Sequence, residues 1–116
     1  MKRILIPLCL ILGSHVANGQ RSYQFQAPDR LFVEGKELFS LKNYPGCIDK
    51  LEAYKQHSTD ADLIQEADYM LVYAAYEQGR PNADELLKDY LETYPSSRHS
   101  DEVNFLIGSV HFGRKE

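Results

Sequence analysis

Four carboxylates, Asp60, Asp62, Glu66 and Asp68, crowd into nine residues and form the densest acidic stretch of the chain. Acidic runs of this kind can hold calcium, but a calcium loop alternates Asp or Asn, turns on a glycine and closes with a distal Glu. No glycine stands in the stretch, so these acids are expected to open a helix, whose N-terminus favours negative charge. His57, His99 and His111 are the next candidates. No two of them lie three or four apart, the spacing that would put two ligands on one helical face, and no cysteine stands beside them. Ser109 follows Gly108 in a stretch read as helix interior, without the strand-to-helix turn that exposes an activated serine. These residues point to no catalytic centre, no metal site and no cofactor.

What repeats in the chain is aromatic. Phe32, Tyr69 and Phe105 recur at 36 to 37 residues, and Phe39, Tyr76 and Phe112 form a second ladder seven residues further on. Residues 51 to 76 align on 87 to 112 without a gap, pairing Leu51 with Leu87, Tyr54 with Tyr90, Tyr69 with Phe105 and Tyr76 with Phe112. A period of this length is the signature of a helical repeat array, in which each unit buries its apolar face only by stacking on its neighbours. The one-residue difference between offsets falls in a turn, where Lys42-Asn43-Tyr44-Pro45 faces Gly79-Arg80-Pro81 and an insertion costs little.

Composition narrows the class of partner. Met1-Lys2-Arg3, an apolar run from Ile4 to Leu12, and Ala17 and Gly19 read as a secretory signal peptide over residues 1–19, cleaved before Gln20. That run is too short to span a bilayer, which needs about 20 residues. Cys9 is not read as a lipid attachment site, because Leu8 precedes it where a small residue is wanted and the apolar run continues beyond it. The chain has 13 Lys+Arg against 17 Asp+Glu, and loss of Lys2 and Arg3 leaves 11 against 17, a charge of −6. An acidic surface without a basic patch is poorly matched to nucleic acid. Once Cys9 has gone, Cys47 has no intramolecular partner, so it must be buried, reactive or paired with another chain; burial fits its small-residue place in the repeat.

Each unit reads as two helices. Helix A1 is expected from about Asp29, behind Pro28, to Lys42, and helix B1 from Pro45 to about Gln56, proline being at home in a first helical turn. Thr59 or Asp60 can cap helix A2, which runs to about Gln78 and stops on Gly79. Helix B2 runs from Pro81 to near Tyr94, before Pro95-Ser96-Ser97, and Ser100-Asp101-Glu102 opens helix A3. The organisation is a signal peptide, a flexible lead-in over 20–28, and repeats over 29–60, 61–97 and, in part, 98–116.

These residues resemble the tetratricopeptide repeat. Gly35, Val72 and Gly108 fall at its small helix A position, Cys47 and Ala83 at the small helix B position, and Pro95 at the closing proline. Val72 is larger than usual, and Tyr54 and Tyr90 stand where alanine is common, which puts close packing of the second repeat in question. Tyr94-Pro95-Ser96-Ser97 followed by Phe105-Leu106-Ile107-Gly108 looks like the subgroup found in bacterial envelope proteins, among them outer-membrane assembly lipoproteins and periplasmic cell-division coordinators. The resemblance implies an all-α solenoid of tandem antiparallel helix pairs, about two and a half repeats long, working in the periplasm or at the outer membrane. The third repeat reaches Glu116 where its helix B should begin, so the chain is expected to be the leading part of a longer array. Phe105, Leu106, Ile107 and Phe112 are then expected to stand uncovered, inviting self-association.

In this family the concave wall is built from helix A. The register places Lys36, Phe39, Tyr69, Tyr73, Tyr76, Glu77, Ser109 and Phe112 on that wall. Tyr73 stands opposite Lys36 and Ser109, so the core is not expected to require an aromatic there. The implied function is a non-enzymatic exported scaffold that holds a protein or peptide on this wall. The rival is a periplasmic subunit that binds a glycan or other small ligand with the same aromatics, since tyrosine offers large contact area and a polar tip. The ladders also admit a purely structural role, packing between adjacent helices.

Overall fold

The computed structural model describes residues 27–114; the expected signal peptide and lead-in residues 20–26 lie outside the described residues. Five helices follow in chain order, and they are the only regular elements among the described residues: α1 (Ala27–Ser40), α2 (Tyr44–His57), α3 (Ala61–Glu77), α4 (Ala83–Thr93) and α5 (Ser100–Arg114). The fold is all-α, two helix pairs and a fifth helix, as the repeat pattern requires.

Local chemistry sets the boundaries. The Asn43 side chain caps α2 by accepting from Gly46 N–H at 3.1 Å, with Pro45 in the first turn. Of the two expected caps for α3, Asp60 serves, accepting from Leu63 N–H at 3.1 Å. α1 begins at Ala27, two residues ahead of Asp29. α4 begins at Ala83 rather than Pro81, because residues 81 and 82 form a turn. Gly79 adopts φ +66° after α3, and its counterpart Lys42 takes φ 60° after α1, so both repeats turn through the left-handed region although only one uses the residue suited to it.

The core repeats with the sequence. Cys47, Leu51 and Tyr54 of α2 are buried, as are Ala83, Leu87 and Tyr90 of α4. The two tyrosines that stand where alanine is usual explain themselves: Phe32 packs on Tyr54 at 5.2 Å between ring centroids, and Tyr69 packs on Tyr90 at 6.2 Å. Large helix B residues fill the space under the first ladder, and the second repeat packs closely with Val72 buried at 9% exposure. Cys47 is fully buried and its thiol is pushed up to about 11 by that burial, so it is the inert of the three alternatives.

α1 touches α3 and α3 touches α5, whereas α2 and α4 do not meet. The A helices therefore form one continuous wall, and the B helices stand apart around an opening of about 290 Å³ floored by Leu71, Val72 and Ala75. α5 packs on α3 and α4 through Val103 and Leu106, both buried, while Phe105 and Phe112 are 70% and 68% exposed. Leu106 corrects the expectation of a wholly uncovered apolar face, since the second repeat already covers it. Ile107 is half-buried for the same reason.

Candidate functional site

The A-helix wall centres on α3. Glu66, Tyr69, Tyr73, Tyr76 and Glu77 are spaced three, four, three and one apart, which keeps them along one side of the helix. α1 adds Phe39, whose ring lies 5.3 Å from Tyr73, edge to face. Tyr73 also neighbours Tyr69 at 6.1 Å and Tyr76 at 6.4 Å. The structure thus brings together four of the residues the register assigns to the wall. Tyr73 is more embedded than its counterparts Lys36 and Ser109 suggest: three rings surround it, and it is half-buried. The register does not require an aromatic at this position, and the structure packs this one among three neighbouring rings.

The other assigned residues stand further out. Lys36 is exposed and forms no ion pair among the described residues, Glu77 is exposed, and Ser109 donates its hydroxyl to Phe105 C=O at 3.1 Å. Ser109 meets Tyr76 across a shallow opening that Pro81, Ala83 and Gly113 also line. Phe112 lies on the exposed side of α5 and joins no ring of the cluster.

Polar groups fix the rings. The Tyr69 hydroxyl donates to Glu102 Oε2 at 2.7 Å, and burial together with that bond holds its phenol well above the usual tyrosine range. Burial also raises the Tyr73 and Tyr44 phenols, and Glu77, beside both, raises them further. His99 stacks on Tyr69 at 3.7 Å and 7°, and its Nε2 lies 3.1 Å from Glu66 Oε1. Arg98 reaches the same oxygen at 3.0 Å. Glu66 is therefore matched by basic groups, whereas Glu102 accepts from a tyrosine hydroxyl and neither it nor Glu77 forms an ion pair among the described residues.

Four members of this site, Glu66, Glu102, Tyr44 and His99, escape the short list drawn from sequence. Glu102 shares the register position of Glu66, so the repeat alignment already points to it. Tyr44 sits on the first turn of α2 and reaches the wall by packing on Phe39 at 6.1 Å; helix A register carries no sign of it. His99 lies in the loop before α5, held there because Ser97 Oγ accepts from His99 N–H at 3.0 Å and pairs with the Tyr90 hydroxyl at 2.7 Å.

No group of His, Cys, Asp and Glu among the described residues is arranged to hold a metal ion. No helix among them is long and apolar enough to cross a membrane. The wall offers rings, hydroxyls and carboxylates. A family model described as YfiO, outer membrane lipoprotein, matches residues 25–116. No curated protein and no solved structure gives a match.

Proposed function

The chain belongs to the YfiO family of outer membrane lipoproteins, and from that premise we propose that it is an exported, non-enzymatic scaffold that holds a protein or peptide on its A-helix wall. One observation carries the reading: Phe39, Tyr69, Tyr73 and Tyr76 form a continuous ring cluster on the side where the A helices meet, with Tyr73 partly open. Partly open aromatics with polar tips are the residues that anchor peptides, giving large contact area at low entropy cost. The working place is the periplasm, at the outer membrane.

The test is site-specific photocrosslinking in cells, with a benzophenone side chain placed at Tyr73 or at Glu85 on α4. Adducts to a discrete partner at position 73 and none at 85 are expected. Equal adducts at both positions would overturn the wall as the binding face. Attachment by acylation at Cys9 is not part of the proposal; fatty-acid label present on the wild-type chain and lost in Cys9→Ser would overturn that reading of the leader.

A further inference from the structure

We propose that the wall selects an extended peptide bearing Lys or Arg, whose cationic side chain is received beside Tyr73 between Glu77 and Glu102. This rests on the reading that the wall binds a peptide, and it adds the chemistry of that peptide. Both carboxylates are exposed at the edge of the ring cluster, one turn beyond Tyr73 on α3 and across from it on α5. Glu77 follows Tyr73 by one helical turn, and Glu102 accepts from the hydroxyl of Tyr69, whose ring lies 6.1 Å from that of Tyr73, so the two carboxylates border the same pair of rings.

Two other carboxylates of the A helices and their neighbourhood are paired with basic groups. Glu66 is met by Arg98 and His99, and Glu34 by Lys50 at 3.3 Å. Glu102 accepts from the Tyr69 hydroxyl, Glu77 stands one turn beyond Tyr73, and neither forms an ion pair among the described residues. Lys36, the one basic residue assigned to the wall, pairs with neither. A tyrosine hydroxyl donates one proton to a carboxylate and leaves its charge uncompensated. Two such charges beside π faces favour a cation, which gains from the ring quadrupole as well as from the carboxylates. An acidic peptide would meet the same charges as repulsion, so the pair discriminates as well as attracts.

Two probe peptides separate the possibilities: acetyl-Gly-Leu-Lys-Tyr-Lys-Leu-Gly-amide, and the same peptide with Glu in place of both Lys. They are titrated into the isotopically labelled full chain and followed by amide shifts. The Lys peptide is expected to bind about tenfold more tightly at low salt, moving amides of α3 and α5. That difference should shrink at about 0.5 M salt, where exposed charges are screened. In the Glu77→Gln/Glu102→Gln double variant the preference is expected to fall within about twofold, because an exposed ion pair contributes no more than about fivefold each. Both side chains are exposed, and helicity checked beforehand establishes that the variant is folded. Equal affinity of the wild-type chain for both peptides would overturn the charge preference and leave the peptide-binding wall standing. A preference that survives the double variant would move the cation site elsewhere. If neither peptide shifts α3, the wall reading itself falls, and this inference with it.

Discussion

Gly35 is the residue on which the first repeat closes. A Cβ built there would stand 2.6 Å from Leu51 Cδ2 and 2.8 Å from its Cγ, against a side chain that is fully buried. Its repeat counterpart Gly108 meets nothing within 4 Å, so the small position that the repeat pattern assigns to both is enforced at only one. Gly35→Ala is expected to cost about 1–3 kcal/mol by overpacking. Gly108→Ala is expected to be neutral or to stabilise, by up to about 1 kcal/mol of helix propensity. Urea midpoints compare them directly, and an equal loss for both would show that α5 packs more tightly than its open surface indicates. Tyr94 makes a prediction of another kind. Its hydroxyl donates to Asp68 at 2.6 Å, and Asp68 also pairs with Lys55, so one carboxylate ties α2, α3 and the end of α4 together. Burial first, then that bond, pushes the Tyr94 phenol up from 10.0 to about 12. A pKa raised in the folded state means a contribution present in full below the ordinary tyrosine value and lost as pH rises through the folded one. Helicity is therefore expected to weaken between about pH 10 and 12, and Tyr94→Phe should flatten that part of the profile while lowering stability at neutral pH.

At the scale of elements, the turn between α1 and α2 carries strain that the turn between α3 and α4 avoids. Lys42 sits at φ 60° where the second repeat has Gly79 at φ +66°. A left-handed side-chain-bearing residue costs about 1–2 kcal/mol, so Lys42→Gly is expected to raise stability by up to about 1 kcal/mol after the flexibility of glycine in the unfolded chain is offset. Thermal melting of the single variant checks it, and a lower midpoint would mean that the Lys42 stem makes compensating contacts. The sequence alignment already puts Lys42 beside Gly79, so this strain is readable from the repeat once the turn is known to be left-handed. The same holds for much of the fold. Two ladders at 36 to 37 residues anticipate Phe32 on Tyr54 and Tyr69 on Tyr90, because a repeat places equivalent residues in equivalent contacts. Asp60 announces its helix by capping chemistry, whereas the Asn43 cap is a finding of the structure. Contacts between different kinds of element are not readable in this way. His99 stacking on Tyr69, and Tyr44 entering the wall from α2, depend on how far one helix pair rotates against the next, which no single helix encodes.

Across the whole molecule, apolar surface is unevenly finished. The A and B helices of the first two pairs cover one another, and the ladder residues Phe32 and Tyr69 lie on Tyr54 and Tyr90. Among the described residues the third rung, Phe105, has no such neighbour, and Phe112, seven residues or about two turns further along α5, lies on the same stripe. Between them Gly108 leaves open space where a side chain would stand. Two exposed phenylalanines flanking a notch make a surface that a second copy can share about a two-fold axis, each phenylalanine then counting twice in the interface. Burying a phenylalanine contributes about 1.5–3 kcal/mol, and association must also overcome lost translational and rotational freedom. Weak pairing through this stripe, rather than a permanent dimer, is the expected outcome. Sedimentation is expected to give a weight-average mass that climbs with concentration, and Phe105→Glu/Phe112→Glu is expected to hold the chain monomeric. Because both side chains are more than two-thirds exposed, the double variant should melt where the wild type melts at low concentration. A wild-type mass that stays constant over the whole concentration range would show that this stripe does not pair with itself; a variant that loses its helicity would show instead that the two rings support α5 from within.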